Sequence, residues 1–156
     1  MELKQRYKNI NDTLNYLRLQ VQESIPFARS YVPQFSDPVQ FFLWLKPQLK
    51  YRNDPKDTEL LQSFGTLMIN NFYGTPGMGD CDCFTIAGLA GCMVQKWNNK
   101  KLYITLAGRN KFTPVHIWSG VILDGKKYPL DFTNAIPGKI RSYPFTQNLY
   151  LKDINK

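Results

Sequence analysis

Residues 115–133 read VHIWSGVILDGKKYPLDFT, two strand-forming runs on either side of Asp124-Gly125. Val, Ile, Trp, Tyr and Phe in such runs suit a pleated, half-buried surface. An Asp-Gly pair between them favours a two-residue type I′ turn, because both turn positions need positive φ. The turn sets the register: Leu123 faces Lys126 and, counting back, Trp118 faces Asp131 and His116 faces Thr133. Because side chains alternate, Val115, Ile117, Val121, Leu123, Tyr128, Leu130 and Phe132 share one apolar face. His116 and Asp131 share the other as diagonal neighbours, roughly 7 Å apart at the backbone, a gap that an imidazole and a carboxylate can close.

Working outward, Lys101 to Ala107 has the same strand character, so strands are expected over 101–107, 115–123 and 127–133. Upstream of them, residues 83–95 read CFTIAGLAGCMVQ without a single charge, a helix apolar on every side and therefore central. Ala87, Gly88, Ala90 and Gly91 let neighbouring backbones approach it closely. Each glycine costs roughly 1 kcal/mol relative to alanine, so close packing has to compensate. The stretch from Gly74 to Gly79 is turn chemistry and delivers the chain to Asp80-Cys81-Asp82.

The first half reads as helices. Leu3, Tyr7, Ile10, Leu14, Leu17 and Val21 form a seam at alternating spacings of four and three, which predicts a helix ended by Pro26. Such a seam lies along its own domain, predicting a monomer; the alternative is a dimer through residues 3–21. Ser36-Asp37-Pro38 predicts a cap and a proline at the first helical position, leading into a buried helix over Val39 to Lys46. A third helix is expected from Thr58 through Ile69, with Glu59 near its start and Gly65 as its weak point. Helices first and strands last make an α+β chain. Its 156 residues suit one domain: an N-terminal helix and connector over 1–30, a core over 36–134 and an extension over 135–156.

Composition narrows the function. Hydrophobic residues are 43% and aromatics 14%, too apolar for a disordered chain. The net charge of +8 is spread along the sequence and accompanies no nucleic-acid motif, so a solvated basic surface is expected rather than a specific nucleic-acid partner. The charged start, with Glu2, Lys4, Arg6 and Lys8, shows no signal peptide or spanning segment, which predicts a cytoplasmic protein without a membrane partner. Three cysteines, Cys81, Cys83 and Cys92, are odd in number and close together, which predicts free thiols.

Cys81 at the start of the central helix meets unpaired backbone N–H groups and the positive end of the helix dipole, so its pKa is expected to fall. A cysteine nucleophile needs an imidazole, and His116 is the one histidine in the chain. Asp131 would orient that ring, completing a Cys-His-Asp triad, with the Cys81 N–H as first oxyanion donor. Cys83 and Cys92 read as small core residues. A rival use of the same atoms is a zinc site from Cys81, Cys83, Cys92 and His116, although Cys-x-Cys without a second pair matches structural zinc spacing poorly. No cofactor motif is present.

Gly79-Asp80-Cys81-Asp82 opening an Ala/Gly-rich helix, His116 at a strand start and DGKKYPLDFT over 124–133 resemble the transglutaminase-like cysteine protease superfamily. The closest likeness is to its short phage- and prophage-encoded members. Tyr51, Asp54-Pro55 and Glu59 to Ser63 resemble the segment these carry before the cysteine, so the likeness spans roughly residues 38–134 and excludes 1–30. It implies a papain-like fold with the cysteine helix packed on an antiparallel sheet, Cys81 as nucleophile, His116 as base and Asp131 as orienting acid. Where close relatives continue with a second Asp after Gly-Asp-Cys-Asp, this chain has Cys83. The expected function is acyl transfer on amide or isopeptide bonds, by hydrolysis or transamidation. The substrate implied is a protein or peptide, such as a cell-wall peptide or a virion protein, which would make the chain virion-associated. The alternative is a binding or virion-structural module that keeps the fold without turnover.

Overall fold

The computed structural model describes residues 2–5, 10–54, 59–69, 74–111 and 114–151. Its order is β1 (Glu2–Gln5), α1 (Ile10–Tyr31), α2 (Pro38–Leu45), β2 (Leu49–Tyr51), β3 (Glu59–Gln62), α3 (Phe64–Met68), β4 (Gly77–Gly79), α4 (Cys81–Met93), β5 (Lys101–Gly108), β6 (Pro114–Leu123), β7 (Lys126–Leu130) and β8 (Phe145–Tyr150). The fold is α+β, with an antiparallel four-stranded sheet in the order β7-β6-β5-β8. The small pairs β1-β3 and β2-β4 stand apart from it.

Helix α4 is the centre. Every residue from Asp82 to Cys92 is buried. A Cβ at Gly88 would come 2.3 Å from Ser119 Oγ, and one at Gly91 would come 2.2 Å from the Phe41 ring. The two glycines are therefore contact points, with β6 on one side and α2 on the other. Two apolar clusters flank the helix. Phe41, Phe42, Phe64, Phe84 and Phe132 belong to one. Leu14, Leu17 and Val21 meet Ile86, Leu89 and Ile104 in the other, so the α1 seam is buried within the chain itself.

The hairpin forms as the sequence predicts. Asp124 and Gly125 have φ of 50° and 79°, and the register runs from Leu123↔Lys126 to Ser119↔Leu130. It stops there, three residues short of the strand expected to Thr133. Asp131 turns the chain instead, with its side chain accepting from the Thr133 N–H at 3.1 Å and its carbonyl from the Asn134 N–H at 3.0 Å. The apolar face is kept at Ile117, Val121, Leu130 and Phe132 but lost at Val115, which is 66% exposed. Ala107 pairs with His116 while Gly108 pairs with Pro114, so Val115 is the extra residue of a bulge and is turned outward.

The first half departs further from expectation. Residues 2–5 are a strand against β3, so the seam is helical only from Ile10 onward, and Tyr7 lies outside the described residues. Pro26 does not end α1; the helix continues to Tyr31. A proline inside a helix costs about 3 kcal/mol. The turn beyond it is held by Phe27 against Tyr31 and Phe64, at 4.9 and 5.2 Å between ring centroids, and by fully buried Ala28.

The helix expected over 58–69 splits into β3 and α3, because the Ser63 hydroxyl caps Thr66 N at 3.3 Å and starts the helix there. The cap predicted before α2 forms, with Asp37 Oδ1 accepting from Gln40 N at 3.0 Å. That helix is buried along Pro38, Phe41, Phe42 and Leu45, while Val39 and Leu43 are exposed. Strand β8, pairing with β5, has no counterpart in the sequence reading.

Candidate active site

Cys81 opens α4, and its position follows from two short strands. β2 pairs in parallel with β4, Tyr51 opposite Gly79, and the Arg52 N–H donates to the Gly79 carbonyl at 2.8 Å. Gly79 has no room for a side chain, since a Cβ there would lie 2.7 Å from the Cys83 Cβ. Asp80 then caps the helix, Oδ1 accepting from the N–H groups of Asp82 and Cys83 at 3.1 and 3.3 Å. The cap thus serves the two residues after Cys81.

His116 and Asp131 meet directly: Nε2 lies 2.7 Å from Asp131 Oδ2, with 14% and 4% of their side chains exposed. The early end of β7 is what permits this contact. Beyond Ser119 the β6 edge facing β7 is unpaired, so Asp131 can turn its side chain onto His116. Three more groups hold the carboxylate. Thr133 donates its hydroxyl to Oδ1 at 2.7 Å and its N–H at 3.1 Å, and Asn134 Nδ2 donates to Oδ2 at 3.3 Å. Burial would raise the Asp131 pKa, but the His116 contact and the Thr133 hydrogen bonds outweigh it and hold the carboxyl below its usual range. Lys46 Nζ, donating to the Phe132 carbonyl at 2.6 Å, adds a cation beside it. The rings of Trp118 and Tyr143 pack on the imidazole at centroid distances of 5.4 and 6.1 Å.

Cys81 and His116 line one cavity of about 230 Å³, together with Tyr51, Asp80, Asp82 and Ile117. The backbone N–H of Ile117, next to His116, donates to the Cys81 sulfur. All three residues singled out in the sequence therefore converge on the open end of β6. The expected fall in the Cys81 pKa does not occur. Burial pushes the thiol up, the carboxylates of Asp82 and Asp80 push it further, and only the Ile117 N–H opposes them. The helix dipole is outweighed first by burial and then by two acidic side chains in the same turn as the sulfur.

The other cysteines turn away. Cys83 is fully buried and takes a weak hydrogen bond from Gln62 Nε2 at 3.6 Å. Cys92 lies eleven residues along α4 from Cys81, about 16 Å at 1.5 Å per residue, so the four candidate zinc ligands do not converge. Among the described residues the one group of clustered ligand-type side chains is Asp54, Asp80 and Asp82, with carboxylate oxygens within 4.8 Å of one another. Sequence reasoning missed Thr133 and Asn134, although Asp-x-Thr after a strand is an Asx-turn signal. It also missed Tyr143, for which the sequence carries no signal.

Among the described residues, no helix is long and apolar enough to cross a membrane. No family model and no curated protein matches the chain. A solved structure does, that of a "putative protease" from Parabacteroides distasonis ATCC 8503, with a TM-score of 0.54 at 12% identity. The match covers 94% of this chain but 30% of that one, so this chain spans under a third of its neighbour's length. At that identity the likeness is one of fold.

Proposed function

We propose that the chain is a thiol acyl-transfer enzyme acting on amide or isopeptide bonds in a protein or peptide. The Cys81 thiol passes its proton to the imidazole of His116 through Nδ1, the ring nitrogen that Asp131 does not use. The sulfur attacks the carbonyl, forming a C–S bond; the amine leaves with the proton from His116, and water or a second amine resolves the thioester. Asp131 fixes the ring and stabilises its charged form. The observation that carries this reading is the 2.7 Å His116–Asp131 contact beside a cavity shared with Cys81. A protonated Cys81 thiol at rest is compatible with it, since proton transfer then accompanies attack.

The rival reading, a binding module without turnover, has one observation in its favour: burial and two carboxylates hold Cys81 in its unreactive thiol form. Incubation with p-nitrophenyl acetate separates the two. The enzyme reading expects one acetyl group on Cys81, found by peptide mass mapping, lost in Cys81→Ala and formed much more slowly in His116→Ala. Acetylation confined to surface lysines, or unaffected by loss of His116, sinks it. Adding hydroxylamine then distinguishes transfer to an amine from hydrolysis.

A further inference from the structure

The backbone N–H of Cys81 is one donor for the oxyanion of an acyl-transfer step, and a tetrahedral oxyanion takes two. We infer that the phenolic O–H of Tyr51 is the second. This rests on the reading of Cys81 as nucleophile and adds a catalytic residue to it.

Three observations converge on Tyr51. The parallel register puts it opposite Gly79, two residues before Cys81, so the end of β2 lies against the start of α4. Its ring packs edge-on against buried Phe84, at 6.2 Å and 80°, and Phe84 lies one helical turn after Cys81 on the same side of α4. Half exposed at 50%, Tyr51 lines the cavity that holds Cys81 and His116. The base therefore enters that cavity from β6 and the phenol from β2. Burial, with the negative charge that Cys81, Asp80, Asp54 and Asp82 can carry, pushes the phenol up to about 12, so at neutral pH it keeps the proton a donor needs. Thr13 brings the cavity's other hydroxyl.

In the step itself the sulfur lone pair forms the C–S bond and the carbonyl π pair moves onto oxygen. There it accepts hydrogen bonds from Tyr51 Oη–H and Cys81 N–H. Collapse returns the pair and expels the leaving group. Alkylation of the same sulfur by iodoacetamide is a displacement at a saturated carbon and forms no oxyanion, which supplies the control.

The test measures acylation of full-length protein by p-nitrophenyl acetate and alkylation by iodoacetamide, in the wild type, Tyr51→Phe, Thr13→Val and Cys81→Ala. Phe keeps the ring on Phe84 and removes only the hydroxyl. Tyr51→Phe is expected to slow acylation by roughly 10²-fold or more while alkylation holds its wild-type rate. Unchanged acylation overturns the assignment; so does a parallel loss of both reactions, which marks an effect on the thiol. A loss in Thr13→Val with none in Tyr51→Phe transfers the role to Thr13. Wild-type acylation in Cys81→Ala refutes the nucleophile reading, and this assignment with it.

Discussion

At Cys81 two opposing influences meet within one helical turn. A position at a helix N-terminus favours thiolate, yet burial disfavours it and Asp82 and Asp80 flank the sulfur. The expected consequence is a thiol that alkylates slowly at neutral pH and speeds up only above the ordinary thiol range near pH 8.5. Asp82→Asn removes the larger of the two acidic influences without touching the Asp80 cap. It should lower the midpoint of the iodoacetamide rate-pH profile at Cys81; an unmoved midpoint would show that burial alone sets it. Asp131 is the converse case, a carboxylate whose partners outweigh its burial. Asp131→Asn should cut thiol acylation by roughly 10²–10⁴-fold, as expected for losing the group that orients and charges a catalytic base. Thr133→Val, which removes one of its hydrogen bonds, should act in the same direction and less strongly.

At the scale of elements, α4 is held by what its glycines admit. Phe41 fills the space over Gly91 with its ring edge 2.2 Å from where a Cβ would be, and that ring is fully buried. Gly91→Ala should therefore destabilise the protein by about 1–3 kcal/mol through overpacking, against the gain in helix propensity, measured by urea denaturation. A stabilised variant would show that α2 can move away from α4. These glycines are readable in the sequence because an uncharged helix with small residues can only be central. The hairpin was equally readable, since Asp-Gly leaves little choice of turn. The β1–β3 and β2–β4 pairs were not. Strands of three or four residues carry too little alternation to be told from helix or loop, and what selects them is a partner far along the chain.

For the molecule as a whole, pH should act at both ends of the scale. All three thiols are pushed upward by burial, so the folded state keeps protons that the unfolded state releases above about pH 8.5. Stability is full below that value and falls as pH rises, by about 1.4 kcal/mol per pH unit for each thiol that ionises only on unfolding. At the acid end, Asp131 lies below its ordinary range, so its contribution is present above about pH 3.9 and is lost as pH falls through its folded value. Thermal melting against pH should show both limbs. Cys92→Ala should flatten the alkaline one; an unchanged slope would mean that Cys92 ionises in the native state.

The central uncharged helix, the I′ hairpin and the placing of His116 and Asp131 on one side of that hairpin are legible in the chain alone, because each depends on local spacing or turn geometry. Only the tertiary structure decided that α1 continues through Pro26, that β7 ends at Leu130 so that Asp131 can turn onto His116, and that the Cys81 thiol is raised rather than lowered. Those outcomes are set chiefly by burial and by packing between elements far apart in the chain, which leave no periodic trace in it.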